Sequence, residues 1–244
     1  MRVFKDAALA MGMMIGAATI GLQATSVSAG PITSPVVIEL YTSQGCSSCP
    51  PADELLAELA SHEDVLPLAL HVDYWDYIGW KDEFASPAYT NRQKGYAHVG
   101  QRRMIYTPQM VIMGREDVVG ANVPAVTSLL KKYNDTPAPI AMQLYDEGDS
   151  VRLTATAVQE LQEGVPHFVQ LVRYAPMRTV SIKRGELAGH TLDYANVVST
   201  LEVIHQWDGT GELDLSVSLD DELRSALLIQ AGPYGPIVGA AKLD

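Results

Sequence analysis

The fold is decided by residues 36–60, which read VVIELYTSQGCSSCPPADELLAELA. The β-branched apolar run at 36–41 predicts a strand, and residues 53–60 place their leucines on one face of a predicted helix. Apolar residues 65–72 predict a second strand. A strand, a helix and a strand in this order form a right-handed crossover between parallel strands. The sequence therefore predicts an α/β unit with both cysteines at the carboxyl end of its first strand, where chemistry gathers in such sheets.

Cys46 and Cys49 are the only two cysteines in the chain. Two thiols at this spacing can form a disulfide with each other, share a metal ion or exchange a disulfide with a partner. Closing so short a loop removes little entropy from the unfolded state, so the pair is a poor structural staple. The spacing therefore favours chemistry over stabilisation.

The first 29 residues have the pattern of a secretory signal. Arg2 and Lys5 precede an uncharged run, and Val27, Ser28 and Ala29 are small residues of the kind that signal peptidase accepts. An uncleaved anchor is the competing interpretation, but the apolar part falls short of the roughly 20 residues that a spanning helix needs. We expect cleavage after Ala29, a periplasmic or secreted protein, and no membrane partner after cleavage.

The pattern of predicted elements changes at residues 134–139, a polar, proline-bearing stretch that predicts a linker. Residues 30–133 alternate strand-like and helix-like runs, and residues 140–244 contain about seven short alternating runs separated by turn signals. The second pattern predicts a small antiparallel β-sandwich. A formal net charge of −12 argues against nucleic acid as a partner.

Two further helix starts can be identified from capping residues. Ser86 is followed by Pro87, and Asn122 is followed by Pro124 in the predicted first turn. Ser and Asn accept hydrogen bonds from the free amides of a first turn, and Pro fits there without losing a bond. We expect helices from these two points to about residues 99 and 133.

The order of these elements resembles the thioredoxin fold: strand, Cys-x-x-Cys, helix, strand, Thr-Pro turn, β-hairpin and helix. The chain is more specifically similar to an exported bacterial family catalogued as domain of unknown function 1223. This similarity is carried by LYTSQGCSSCPPAD (40–53), HVDYWDYIGWKD (71–82), YTPQMV (106–111), GELAG (185–189) and NVV (196–198). The resemblance implies an α/β thioredoxin-like domain at 30–133 followed by a small all-β antiparallel sandwich at 140–244, and implies a function only by analogy.

The thioredoxin likeness implies catalytic roles for Cys46, Cys49 and Pro108. Cys46 would be the attacking thiolate, Cys49 the resolving thiol one helical turn away, and Pro108 a cis-proline facing them. Two departures weaken the likeness. Gly45 stands where thioredoxins usually carry Trp, and Pro50-Pro51 disfavours helical geometry around Cys49, so Cys46 would feel less of the helix dipole.

Four other residues complete the predicted site. Thr107, Trp75 and Asp73 are expected to bind substrate, because a cis bond would present the Thr107 backbone to a peptide strand and the other two would wall the site. Glu39 is the candidate for proton transfer to Cys49. The alternative for Glu39 is a solvated or paired strand carboxylate.

The leading hypothesis is an exported thiol–disulfide oxidoreductase that exchanges a disulfide through Cys46 and Cys49 with a protein or small-molecule thiol, without a cofactor or metal. One alternative is a Cu(I) site in which Met104, Met110 or Met113 joins the two thiolates. The other is a binding module with an inert disulfide, in which the β-rich part does the recognition. All three are compatible with the motif.

Overall fold

The computed structural model describes residues 28–220 and 222–243. Residues 1–27, which hold most of the predicted signal, therefore lie outside the described residues. The predicted cleavage site after Ala29 falls within the first described strand. Within the described ranges, no helix is long and apolar enough to cross a membrane.

Residues 28–133, the described part before the predicted linker, form five strands and three α-helices, the last of which ends at Asn134. In chain order these are β1 (Ser28–Ile32), β2 (Val36–Thr42), α1 (Pro50–Leu59), β3 (Val65–His71), α2 (Pro87–Val99), β4 (Gln109–Ile112), β5 (Glu116–Val119) and α3 (Val123–Asn134). A short 3-10 turn, Asp76–Ile78, lies between β3 and α2.

The described residues after the linker form strands without a helix. In chain order these are β6 (Ile140–Asp146), β7 (Ser150–Ala157), β8 (His167–Ser181), β9 (Thr191–Trp207), β10 (Leu213–Ser218), β11 (Arg224–Ala231) and β12 (Ile237–Lys242). The two longest, β8 and β9, form one antiparallel hairpin.

The predicted helix starts are confirmed. The Ser86 hydroxyl accepts a hydrogen bond from the Ala88 amide at the start of α2, at 3.2 Å. The Asn122 side chain accepts one from the Ala125 amide at the start of α3, also at 3.2 Å. Both caps satisfy amides that the first turn of a helix leaves without a partner.

The strands form two sheets. The larger has eight strands in the order β12-β11-β8-β9-β3-β2-β4-β5, and the smaller has four in the order β1-β6-β7-β10. In the larger sheet β2 pairs in parallel with β3, and β3 pairs in parallel with β9. The other neighbours in that sheet are antiparallel.

The predicted fold class, an α/β thioredoxin-like domain followed by a separate small sandwich, is wrong. Strands β8, β9, β11 and β12 of the β-rich part continue the sheet of β2 to β5 instead of forming a sandwich of their own. The physical reason is the free edge of β3: β9 pairs with it through Ala69 and Val197, so its backbone groups are hydrogen-bonded. The result is one mixed sheet built from both parts of the chain.

The two faces of β2 look into different cores. Ile38 and Leu40 pack with the leucines of α1 and with Val126 of α3. Val37 and Tyr41 face the other way and pack with tyrosines of α2. Successive strand residues point to opposite faces, so Glu39 lies on the α2 face, and α1 covers the opposite one. This division decides which side chains can reach the cysteines.

The smaller sheet packs against the β-rich end of the larger one. A third apolar cluster joins Met142 and Leu153 of the small sheet to Val169, Leu227 and Ile229 of the large sheet. This layer lies away from β2, so the cysteine loop is surrounded by β3, α1 and the far end of the β8–β9 hairpin.

Candidate functional site

Cys46 and Cys49 form a disulfide in the loop between β2 and α1, with their Cα atoms 5.4 Å apart. The loop is compact: the Cys46 amide donates to the Ser43 carbonyl and the Cys49 amide to the Cys46 carbonyl, each at 3.1 Å. Cys46 is 1% exposed and Cys49 is fully buried, whereas Ser47 and Ser48 between them are exposed. Both cysteines are therefore buried, and they differ in position: Cys46 stands in the loop and Cys49 at the start of α1.

Helix α1 begins directly after the disulfide. Cys49 is its N-cap with helical backbone angles, and Pro50 and Pro51 occupy the first turn. The Cys49 carbonyl accepts hydrogen bonds from the amides of Ala52 and Asp53. Because the two prolines carry no amide hydrogen, the usual free donors of a helix start are reduced here. Cys46 lies one turn before the helix, but Cys49 keeps helical backbone angles although Pro50-Pro51 was expected to disfavour them.

Gly45 is required by a close approach of the chain. A Cβ atom at this position would lie 3.0 Å from the Trp75 Cβ and 3.3 Å from the Trp75 carbonyl oxygen. The segment after β3 therefore packs directly on the residue before Cys46. Glycine stands at position 45 because a side chain there would press against the backbone and Cβ of Trp75.

Trp75 and Thr107, both predicted to bind substrate, are in contact. The Trp75 indole nitrogen donates to the Thr107 hydroxyl at 2.7 Å. The Thr107–Pro108 bond is cis, as predicted. It immediately precedes Gln109, which pairs with Tyr41 near the end of β2. The structure thus brings the Thr107-Pro108 turn and Trp75 to the loop that carries the cysteines.

An exposed aromatic ledge extends from this turn. Tyr77 is 81% exposed and stacks on Trp75 with an interplanar angle of 13° and ring centroids 6.4 Å apart. Asp73, the third residue predicted to bind substrate, points to α2, where its carboxylate accepts from the Thr90 hydroxyl at 2.5 Å. The ledge therefore consists of Trp75 and Tyr77.

The β-rich part also reaches the cysteines. The loop between β8 and β9 places the Glu186 carboxylate 3.4 Å from the Ser47 amide, which donates to it. The same loop packs on the Trp80 side chain, 3.3 Å from where a Cβ at Gly185 would stand. Gly185 and Glu186 were predicted to lie in a separate domain, and neither was predicted to belong to the site.

Glu39 is buried in a different cluster. The Arg92 guanidinium donates to one carboxylate oxygen at 2.6 Å, and the Tyr96 hydroxyl donates to the other at 2.5 Å. Burial and the Glu39 charge together raise the pKa of Tyr96, so its phenol stays protonated. Glu39 is therefore a paired strand carboxylate on the α2 face, the alternative that the sequence left open.

A second buried acid, Asp53, was missed by the sequence argument. It lies in the first turn of α1 and is 5% exposed. Burial raises the pKa of Asp53 from 3.8 to about 7, against the opposing influence of His71 and Thr42. The signal in the sequence was its spacing, since Cys49 and Asp53 are four residues apart and share a helical face.

His71 and Asp82 form a buried pair beside Asp53. The His71 Nδ1 and the Asp82 carboxylate are 2.7 Å apart, and both residues are almost fully buried. The Asp82 carboxylate also accepts from the Gln44 amide at 2.8 Å. Of the two His71 ring nitrogens only Nδ1 has a partner: Nε2 is buried without a hydrogen bond among the described residues.

The methionines considered for copper lie in three different environments. Met110 is fully buried in the core under α1. The Met113 sulfur accepts from the Val37 amide near the start of β2, at the opposite end from Cys46. Met104 is 73% exposed. In the part of the chain that the structure describes, no cluster of three or more His, Cys, Asp or Glu side chains could hold a metal ion.

Comparison with known proteins adds a family and two related structures. A family described as protein of unknown function (DUF1223) matches residues 37–230. A crystal structure of a protein from Agrobacterium tumefaciens is 31% identical, covers 87% of this chain and 95% of its own, and superposes with a TM-score of 0.74. HBP35 of Porphyromonas gingivalis is 15% identical, with 86% and 74% covered and a TM-score of 0.58, a likeness of fold alone. No curated protein matches the chain.

Proposed function

Since the chain belongs to a family of proteins of unknown function, its activity has to be argued from the site, and we propose that it is an exported thiol–disulfide oxidoreductase. The partner would be a protein or small-molecule thiol or disulfide. The observation that carries the proposal is the position of the disulfide. Both cysteines of the chain are joined in a short loop at the end of β2, beside the Thr107-Pro108 turn and the Trp75–Tyr77 ledge.

The positions of the two sulfurs support different roles for them. The Cys46 sulfur lies 3.4 Å from the hydroxyl of exposed Ser48, and Cys49 is the N-cap of α1. A partner thiolate would attack Cys46, forming a mixed disulfide and expelling the Cys49 sulfur with the bonding electron pair. In the reverse direction Cys49 would attack Cys46 and release the partner.

Burial limits access to the attacked sulfur. Cys46 is 1% exposed, so a partner can reach it only after the Ser47-Ser48 loop or the Glu186 loop moves. The Ser47–Glu186 contact at 3.4 Å is long and exposed, so it offers little resistance to such motion. We therefore expect small thiols to exchange faster than folded protein disulfides.

A second candidate function is supported by the same burial. An inert disulfide in a binding module would also be shielded from solvent, and the Trp75–Tyr77 ledge would then be a recognition surface alone. The two candidates differ in one measurable property. The first requires that the disulfide opens reversibly near the thiol potentials of its compartment.

The test combines a redox titration with trapping of mixed disulfides. For an oxidoreductase the Cys46–Cys49 pair should equilibrate with glutathione or dithiothreitol and catalyse insulin reduction or thiol oxidation. A potential near −120 mV indicates an oxidant, and one near −270 mV a reductant. A disulfide that resists both reagents in the folded protein would favour the inert binding module.

Trapping tests the roles of the two cysteines. Cys49→Ser should accumulate a mixed disulfide at Cys46, because the resolving thiol is gone. Cys46→Ser is the matched control and should accumulate little, because in the proposed exchange the partner attacks Cys46. Equal recovery of partners with both variants would contradict the assignment.

A further inference from the structure

Cys49 and Asp53 lie on the same buried face of α1. Cys49 has helical backbone angles, and the Asp53 amide donates to the Cys49 carbonyl at 3.1 Å, which is the bond of one regular helical turn. Side chains four residues apart on a helix are neighbours. Cys49 is fully buried and Asp53 is 5% exposed, so this face of the helix turns both side chains away from water.

Several polar atoms around Asp53 are buried without a hydrogen-bond partner among the described residues. Asp53 itself has one such oxygen, and the others are His71 Nε2 and the Tyr194 hydroxyl. Unpartnered buried polar atoms are rare and costly in folded proteins. Their concentration around Asp53, on α1 and on the neighbouring strands β3 and β9, supports a role for this carboxyl in proton transfer.

We propose that Asp53 exchanges a proton with the Cys49 sulfur each time the disulfide opens and closes. The inference rests on the proposed thiol–disulfide exchange, and it assigns to Asp53 the role that sequence reasoning gave to Glu39. Glu39 lies on the opposite face of β2, and both of its oxygens are bonded to Arg92 and Tyr96.

The chemical step balances as follows. A partner thiolate attacks Cys46, a new S–S bond forms, and the Cys46–Cys49 bond breaks with its electron pair on Cys49. The protonated Asp53 carboxyl gives its proton to this sulfur, leaving a carboxylate and a neutral thiol. In the reverse direction the carboxylate takes the proton from Cys49 as Cys49 attacks Cys46 and expels the partner thiolate. The proton keeps the buried Cys49 sulfur neutral, because burial makes a charged thiolate costly.

The ionisation of Asp53 is set by groups from every element that packs on it. These are Thr42 of β2, His71 of β3, Tyr194 of β9, Asp82 of the segment before α2, and Glu54 on α1 itself. Burial is the largest influence and raises the pKa of Asp53 to about 7, which suits a group that must both give and take a proton near neutral pH.

The first experiment measures the rate at which dithiothreitol reduces the intact protein across about pH 6 to 9, with Asp53→Asn beside wild type. We expect an inflection near neutral pH in wild type that Asp53→Asn lacks, and a rate at least about tenfold lower at neutral pH, a modest value for general acid catalysis. Glu58→Gln is the matched control, since it removes an exposed carboxylate from the same helix that does not act on Asp53. Profiles of the same shape and rate for wild type and Asp53→Asn would overturn the proposal.

A second measurement uses the wild-type protein alone, so it remains informative if Asp53→Asn does not fold. Carbon-13 NMR of aspartate carboxyls follows the titration of Asp53 in the oxidised and the reduced wild-type protein. Coupling to Cys49 should shift this titration on reduction, because two interacting groups titrate as a pair. An Asp53 that titrates identically in both forms would refute the inference. Failure of insulin reduction or trapping alone would instead refute the proposed function, because dithiothreitol and NMR report on Asp53 without a client.

Discussion

Asp53→Asn should make the stability of the oxidised protein less dependent on pH. Folding raises the pKa of Asp53 from 3.8 to about 7, chiefly because the side chain is buried. In the disulfide form Cys49 cannot titrate, so stability isolates the acid from the thiol. Asparagine has nearly the same shape and no titratable proton.

The sign follows from proton linkage. Between about pH 4 and pH 7 the folded protein holds the Asp53 proton and the unfolded chain has released it, so stability falls as pH rises through this window. Above about pH 7 both states are ionised at this residue and the loss is complete. At about 1.36 kcal/mol for each pKa unit, the shift sets an upper limit of about 4 kcal/mol. Water entry and local relaxation reduce it, and we expect about 2 to 4 kcal/mol.

Urea unfolding at about pH 5 and about pH 8 measures the part of this loss that falls above pH 5, about two pKa units and therefore at most about 2.7 kcal/mol. The relevant number is the change in free energy of unfolding caused by Asp53→Asn at pH 8 minus the change at pH 5, in which other titrating groups cancel. It should be positive, with Asn favoured more at the higher pH, and Glu58→Gln on the same helix should give a value near zero. A difference below about 0.5 kcal/mol would show that Asp53 titrates like a solvated carboxylate and would refute the reasoning.

Two other substitutions test the packing around the site. Gly45→Ala should cost about 1 to 3 kcal/mol in urea unfolding, because the new methyl group would stand 3.0 Å from the Trp75 Cβ and force the two segments apart; an unchanged unfolding midpoint would contradict the close packing. Arg92→Met should cost about 3 to 5 kcal/mol, since it leaves the Glu39 charge without its cation in the core; a double variant with Glu39→Met should recover most of that loss, and a further loss would contradict the pairing.

Local chemistry in the sequence predicted the elements that frame the site. The run at 36–41 is strand β2, and the caps at Ser86 and Asn122 start α2 and α3. The Thr107–Pro108 bond is cis. Each of these features depends on residues within a few positions of one another. A strand follows from its own run of apolar side chains, a cap from a side chain that faces a nearby free amide, and the cis bond from the proline ring. Sequence reasoning works well at this range.

The sheet could not be predicted because pairing of strand edges depends on backbone groups that every residue shares. One of the alternating runs after the linker, residues 197–205, predicted a strand. Nothing in that run specified β3 as its neighbour. Strand β9 also extends over Thr191–Trp207, and its outer part is exposed and polar. The alternating runs of the second part therefore suggested a self-contained sandwich, when four of them complete a sheet begun by the first part.

Nothing in the local sequence distinguished Asp53 from an ordinary helix-start acid. An acidic residue in the first turn of a helix is common because it complements the helix dipole, and this one precedes another acid, Glu54. Its burial follows from tertiary structure: Tyr194 of β9 and His71 of β3 close over it. The spacing of Cys49, Asp53 and Leu56 along one helical face was the available signal. It requires that the helical register extend back to Cys49 despite Pro50 and Pro51, as it does.

The shared sheet changes what can be asked of the β-rich part. As a separate sandwich, it would be free to bind a client or a second copy while the cysteines worked elsewhere. Instead β9 lies against both β3 and α1, and the Asn196 side chain donates to the Pro67 carbonyl at 2.8 Å. Through this contact the β-rich part supplies Tyr194 behind the disulfide and Glu186 in front of it. Its strands are therefore part of the environment that sets the behaviour of Cys46 and Cys49, and a division into a redox domain and a recognition domain does not describe this molecule.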